Sequence, residues 1–369
     1  MFATAFLVGA AIYQSGQHLY SLTRTDSDAI LLLDYDSGRM SRLRIAEDGW
    51  VAGPSIGVDS PIATRVRFTD QKLTMNSAIV ATRDDAFRIE RIEGGRVFVP
   101  RTPGRHPAVV AVPGEILPAA YFAKRGIAFV ALDRRADWRS RTFADVANDV
   151  VTIVNILTNR RDIDPRRVGI YASSEGGWVA PIAASKSAAI AFVVCTACSA
   201  TGVTAQELTR TEAELRADGF RAAEIRDAVA YRTLYFDYLT TGEHRGELEA
   251  ADESAKSARW YPRFGGIISR EAPLAIWWRN NAGFVPTEFW KRVRVPVLLL
   301  FGSLDTRVPP AEHAQKIAAA IPSATLAIVP GVDHEGFIAK TGGRDEVPQL
   351  DRIPARAFDP AIDWILARR

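Results

Sequence analysis

Residues 108–112 and 127–132 are short, unbroken apolar runs. Runs of that length without polar alternation predict strands buried on both faces of a sheet. Residues 168–172, 191–194, 295–301 and 324–329 have the same character. Helical patterns lie between them. Phe143, Val146, Val150, Val154 and Leu157 recur at spacings of three and four, which makes one apolar stripe on a helix. Residues 117–125, 178–187, 311–320 and 358–367 predict further helices. Strands that alternate with helices imply an α/β protein, with a mostly parallel sheet and helices on both faces.

The pattern breaks twice. From residue 14 to about 100, short strand-like runs are separated by turn signals, as at 29–34 followed by Tyr-Asp-Ser-Gly at 35–38. Their alternation is weak, and they predict a small β-rich N-terminal extension. Residues 201–290 are helical in composition and crowded with aromatics. A helical insertion between two halves of a sheet predicts a lid over a site at the strands' carboxyl ends. The expected organisation is an extension over 1–94, the first half of the core over 95–200, the lid over 201–290 and the second half of the core over 291–369. A chain of 369 residues accommodates two or three domains of ~150 residues.

The strand at 168–172 runs into Ser173, Ser174, Glu175, Gly176 and Gly177, then a helix. A nucleophile on a sharp strand-to-helix turn needs small residues two positions before and two after it. Ala172 and Gly176 meet that demand for Ser174, whereas Ser173 would place Tyr171 at the first small position. A serine hydroxyl also needs a base to take its proton. Of the five histidines, only His334 lies in a loop just after a late core strand. His18 falls in the extension, His106 at the amino end of a strand, and His313 inside a helix, where a surface position is expected. His244, in the lid, is the competitor. The base needs a carboxylate to orient it. Asp305 follows the strand at 295–301. Asp333 is the weaker alternative, because adjacent side chains seldom point at one another.

Asp-Pro-Arg-Arg-Val-Gly at 164–169, Ser-Glu-Gly-Gly-Trp at 174–178, Phe-Gly-Ser-Leu-Asp at 301–305, Asp333-His334 and Asp-Trp-Arg at 137–139 carry a resemblance. The chain resembles serine hydrolases of the α/β-hydrolase superfamily, in the group of serine aminopeptidases, prolyl-oligopeptidase-like domains and esterases with a helical lid. The resemblance covers about residues 95–369. It implies an α/β-hydrolase sheet with Ser174 as nucleophile, His334 as base and Asp305 as acid, in the chain order of that fold. It also implies an oxyanion hole of backbone N–H groups. Relatives usually carry His-Gly-x after the first core strand, and this chain has Pro113, Gly114 and Glu115. The hole needs N–H groups rather than an imidazole, so those of Glu115 and Glu175 are the expected donors. The loops after Val112 and Leu132 are shorter than in relatives. In the lid, Trp277, Trp278 and Phe284 are candidates to line an acyl or aromatic pocket.

The expected reaction is hydrolysis of a carboxylic ester in a small-molecule acyl substrate. A peptidase or amidase and a thioesterase run on the same three residues. The non-enzyme alternative is an inactive hydrolase fold that binds a ligand, supported by the altered 113–115 loop and the short loops.

A net charge of +3, with no basic run, leaves no footprint for nucleic acid. The first dozen residues are nearly all apolar but fall short of the ~20 needed to span a bilayer, and no later stretch is a membrane span. The first basic residue is Arg24, so a strand or short helix packed on the body is expected rather than an export signal, which favours the cytoplasm. Cys195 and Cys198 read as two small buried residues at a strand end, since nothing nearby completes a zinc site. No dinucleotide or phosphate-loop glycine pattern occurs, so neither an organic cofactor nor a metal is expected. The sequence carries no sign of oligomeric state.

Overall fold

The computed structural model describes residues 10–25, 28–47, 49–114, 116–133 and 135–368. Residues 1–9 of the apolar N-terminal run lie outside them, and residues 10–12 open the first strand. The N-terminal region is a closed barrel of antiparallel neighbours. Its strands are β1 (Ala10–Ser15), β2 (His18–Arg24), β3 (Ile30–Asp34), β4 (Met40–Ala46), β5 (Gly49–Ala52), β6 (Thr64–Phe68), β7 (Lys72–Met75) and β8 (Ala78–Asp84), and β1 closes on β8.

Ala11, Tyr13, Leu22 and Leu32 fill the barrel interior. Their neighbours Ala10, Ile12, Leu19 and Leu33 point outward, yet they too are buried, against the second unit. Burial of both faces removes the polar half of the strand pattern, which is why the alternation here is weak. Each fully buried aliphatic contributes roughly 1.5–3 kcal/mol of transfer free energy, so these outward residues hold the barrel on its neighbour.

The second unit is built on an eight-stranded sheet. Its strands are β9 (Phe87–Ile92), β10 (Gly95–Pro100), β11 (His106–Val112), β12 (Ala128–Leu132), β13 (Ile163–Ser173), β14 (Val193–Thr196), β15 (Val297–Gly302) and β16 (Thr325–Val329), in the order β16-β15-β14-β13-β11-β12-β10-β9. The six strands from β12 to β16 run parallel, and β10 and β9 add antiparallel to β12. The sheet is therefore mixed. It begins at Phe87, so β9 belongs to the sheet rather than to the extension expected over 1–94.

Helices α1 (Ala119–Lys124), α2 (Phe143–Thr158), α3 (Gly176–Lys186), α4 (Val203–Ala217), α5 (Ala222–Thr241), α6 (Arg245–Ala255), α7 (Tyr261–Phe264), α8 (Pro273–Asn281), α9 (Pro286–Trp290), α10 (His313–Ala320) and α11 (Asp359–Leu366) complete the unit. Successive strand residues divide between two cores, as the period of two requires. Val97, Val110 and Val130 pack with α2, α3 and α10. Phe98, Val109 and Phe129 pack with α1, α11 and the barrel. At the start of α2, Thr142 and Asp145 form a reciprocal capping box that satisfies two otherwise orphaned N–H groups.

Helices α4 to α9 extend the first core and are stapled by aromatic pairs, with Phe236 stacked on Trp278 at 4.2 Å and Arg232 over Phe236 at 4.1 Å. Cys195 and Cys198 are buried at the end of β14, and the structure joins them in a disulfide. That corrects the reading of two separate small residues; the spacing alone does not distinguish a bonded pair. No helix among the described residues is long and apolar enough to cross a membrane.

Candidate active site

The nucleophile candidate sits where β13 breaks into α3. Ser174 has φ +48°, a left-handed conformation that a non-glycine residue holds only when its surroundings impose it. Close packing imposes it here. A Cβ on Gly176 would lie 2.2 Å from the Val112 carbonyl oxygen and 3.0 Å from the Ala172 Cβ. A Cβ on Gly177 would lie 2.5 Å from the Ser199 nitrogen. The small residues on either side of Ser174 are thus set by the approach of β11 and of the 198–199 backbone.

His334 Nε2 lies 3.0 Å from Ser174 Oγ, and His334 Nδ1 lies 3.0 and 2.9 Å from the two Asp305 oxygens. Asp305 Oδ1 also accepts the Arg307 and Val308 N–H groups at 2.9 and 2.7 Å. The carboxylate is fully buried, and those bonds compensate its desolvation. Burial disfavours the charged imidazolium of His334, but the Asp305 charge and hydrogen bond outweigh it, and the His334 pKa lies above its ordinary value.

Asp333 serves a different purpose. Its carboxylate accepts the Phe337 N–H at 2.7 Å and so closes the turn that presents His334. Burial pushes its pKa up to about 6.

The other histidines lie elsewhere. His244 is exposed on the helical insertion beside Asp237 and Glu247, His106 faces the Thr102 carbonyl, and His18 pairs with Asp34 on the barrel. His313 departs from expectation. It is fully buried rather than on the surface, and its Nδ1 accepts the Ala200 N–H at 2.9 Å. Burial lowers its pKa to about 4, so it is a neutral prop for the loop behind the Ser174 turn.

Glu175 forms the start of α3, whose N-terminus carries the partial positive charge of the helix dipole. Glu115 lies outside the described residues. Its neighbour Gly114 and Ser174 both line a cavity of about 750 Å³. A Cβ on Gly114 would lie 1.9 Å from the Leu132 carbonyl oxygen, which explains a glycine there.

The cavity runs from Ser174 and His334 past Tyr171 and Leu300 to Phe358 and Ala361, toward the core shared with α11 and the barrel. No residue of 203–290 lines it. Trp277, Trp278 and Phe284 accordingly stand apart from it. Trp277 and Phe284 pack edge-on against Phe143, and Trp278 is stacked on Phe236. The cavity wall is formed instead by Pro354, Ala355, Arg356 and Ala357, a stretch without periodic pattern in the sequence, and by Phe358, Pro360 and Ala361 at the start of the closing helix. The two arginines that line the cavity are already paired: Arg307 with Glu335 at 2.6 Å and Arg356 with Asp36 at 2.6 Å. On the barrel, His18, Asp34 and Asp36 bring potential metal-ligand atoms within 4.8 Å of one another, where Arg356 already holds Asp36.

Residues 97–341 match the family described as the alpha/beta hydrolase family. Comparison with curated proteins finds no match. Among solved structures, the chain is similar to a puromycin-hydrolyzing peptidase of Mycobacterium tuberculosis, at 16% identity and a TM-score of 0.45 over 96% of this chain and 47% of that one. It thus spans about half the length of that peptidase. It is similar to the acylaminoacyl peptidase of Pyrococcus horikoshii, at 14% identity and a TM-score of 0.46 over 93% of this chain and 55% of that one. It is also similar to acetyl xylan esterase 1 of Thermoanaerobacterium sp. JW/SL YS485, at 16% identity and a TM-score of 0.40 over 82% and 87% of the two chains.

Proposed function

Since the chain belongs to the alpha/beta hydrolase family, we propose that it is a serine hydrolase that cleaves a carboxylic ester of a small-molecule acyl substrate. The observation that carries this reading is the continuous relay from Ser174 Oγ through His334 to Asp305, with no step longer than 3.0 Å. Ser174 Oγ bonds to the ester carbonyl carbon as its proton passes to His334 Nε2. Asp305 holds the imidazole and stabilises its charge. The Glu175 and Glu115 N–H groups donate to the developing oxyanion. His334 then gives its proton to the departing alkoxide oxygen as the ester C–O bond breaks. Water repeats the sequence on the acyl-enzyme and releases the acid.

An ester is favoured over a peptide because both arginines that line the cavity among the described residues are engaged with carboxylates, so neither is left to bind a peptide's carboxyl terminus. Ser174→Ala is expected to abolish hydrolysis of short p-nitrophenyl esters, a loss of about 10⁶-fold where nucleophile and base act as a unit. Full activity in that variant refutes the assignment. Faster cleavage of aminoacyl-p-nitroanilides than of esters by the unaltered enzyme makes it a peptidase instead.

A further inference from the structure

We propose that the N-terminal barrel sets one wall of the catalytic cavity, and that the Asp36–Arg356 pair is the positioning contact through which it fixes acyl selectivity. The wall is a strap of residues 348–358 between the last turn of the 3-10 segment Arg344–Gln349 and helix α11. On its outer side the strap is hydrogen-bonded to the barrel along its length. Ser55 Oγ and the Gly57 N–H donate to the Pro348 carbonyl at 2.7 and 3.0 Å, and the Ile56 N–H donates to the Leu350 carbonyl at 2.8 Å. The Met40 N–H donates to the Asp351 carbonyl at 2.7 Å, the Ile353 N–H to the Gly38 carbonyl at 3.0 Å, and the Arg356 N–H to the Tyr35 carbonyl at 2.8 Å. The fit is close: a Cβ on Gly38 would lie 1.9 Å from the Ile353 carbonyl oxygen.

On its inner side the same strap faces the nucleophile. Pro354, Arg356 and Phe358 line the cavity that holds Ser174 and His334. It also touches the base loop, since the Ile338 N–H donates to the Arg352 carbonyl at 2.7 Å. Arg356 is the pivot. Its φ of +52° turns the strap into α11, a conformation the surroundings must hold. Its guanidinium bonds Asp36 Oδ1 at 2.6 Å, while Asp36 Oδ2 accepts the Leu19 N–H at 3.0 Å. Asp36 sits in the turn between β3 and β4, so this ion pair joins the barrel to the wall at the residue that lines the cavity, beyond the backbone bonds and the Arg39–Asp351 pair at 3.8 Å farther along the strap. Release of that pair frees the Arg356 side chain, while the backbone bonds keep the strap in register, and so alters the space open to the acyl group, leaving the Ser174–His334–Asp305 geometry in place.

The kinetic test rests on the assignment of Ser174 as nucleophile, and a binding test does not. In the full chain, Asp36→Ala is expected to change the kcat/KM ratio of p-nitrophenyl octanoate to acetate by about tenfold or more, mainly through KM. Asp36→Asn keeps one acceptor oxygen, enough for Arg356 or for the Leu19 N–H but not for both, and restores only part of the ratio. Asp59→Ala, which removes the barrel's ion pair with Arg44, leaves it at the wild-type value. Arg356→Gln gives the same change from the other partner, and serves if Asp36→Ala does not fold. In a Ser174→Ala background, Asp36→Ala changes octanoate affinity, measured calorimetrically, by a similar factor. If the unaltered chain hydrolyses no ester but octanoate affinity still depends on Asp36, the esterase reading fails and the strap stands. If ratio and affinity both stay within about twofold of the parent in the folded variants, the inference is overturned.

Discussion

Asp305→Asn tests how the hydrogen bonds around one buried carboxylate dictate the state of His334. Asp305 Oδ1 accepts two backbone N–H groups, from Arg307 at 2.9 Å and Val308 at 2.7 Å. An asparagine must keep its carbonyl oxygen at that position, since an amide NH₂ there would face two donors. The NH₂ group then takes the place of Oδ2, 2.9 Å from His334 Nδ1. It donates, so Nδ1 must accept, and the ring proton moves to Nε2, the atom facing Ser174 Oγ at 3.0 Å. In that tautomer Nε2 has no lone pair to take the serine proton. The expected cost is about 10⁴-fold in kcat, the size seen when the same exchange is made in a serine protease triad.

The exchange also removes the charge that holds the His334 pKa above 6.5. For the unaltered enzyme, kcat/KM toward a p-nitrophenyl ester is expected to fall on the acid side with an apparent pKa above that value. The residual activity of Asp305→Asn has its acid limb at lower pH. The assay is a pH series of kcat/KM for both enzymes. Activity of Asp305→Asn within about tenfold of the parent, with an unmoved acid limb, refutes the reasoning and points to another acid.

Two further variants probe the site. Gly176→Ala forces a Cβ to 2.2 Å from the Val112 carbonyl oxygen, so the nucleophile turn must shift; a lowered Tm and a loss of about 100-fold or more in kcat/KM are expected, and wild-type values for both would contradict the packing account. Asp333 has its folded pKa raised from 3.8 to about 6. Between those values the folded state holds a proton that the unfolded state has lost, so stability falls as pH rises through this window, by on the order of 2–3 kcal/mol. Asp333→Asn keeps an acceptor for Phe337 and cannot ionise. Urea unfolding from pH 4 to 8 is expected to show the unaltered protein losing that increment relative to the variant, and parallel curves would refute it.

The parallel core was legible because its strands, covered on both faces, leave unbroken apolar runs such as 108–112. The sharp turn at Ser174 was legible because Ala172 and Gly176 answer a steric demand made within five residues. The barrel was harder to read for the reason that made the core easy. Ala10 and Ile12 face the second unit while Ala11 and Tyr13 face the barrel interior, so β1 has no polar side to reveal its period. His313 and the aromatics of the insertion show the limit of residue type as a guide. A histidine in a helix and a Trp-Trp pair look alike whether they face solvent, a core or a substrate. The strap was invisible, because its role depends on contacts such as Ser55 to Pro348 that join residues 293 positions apart, and it has neither helical nor strand periodicity.

Reaction of the full chain with a fluorophosphonate probe, followed by mapping of the modified peptide, tests the central claim most directly. The account predicts stoichiometric phosphonylation of Ser174 alone, faster above the His334 pKa than below it, and none in Ser174→Ala. Modification of another residue, or none at any pH in folded protein, would contradict it.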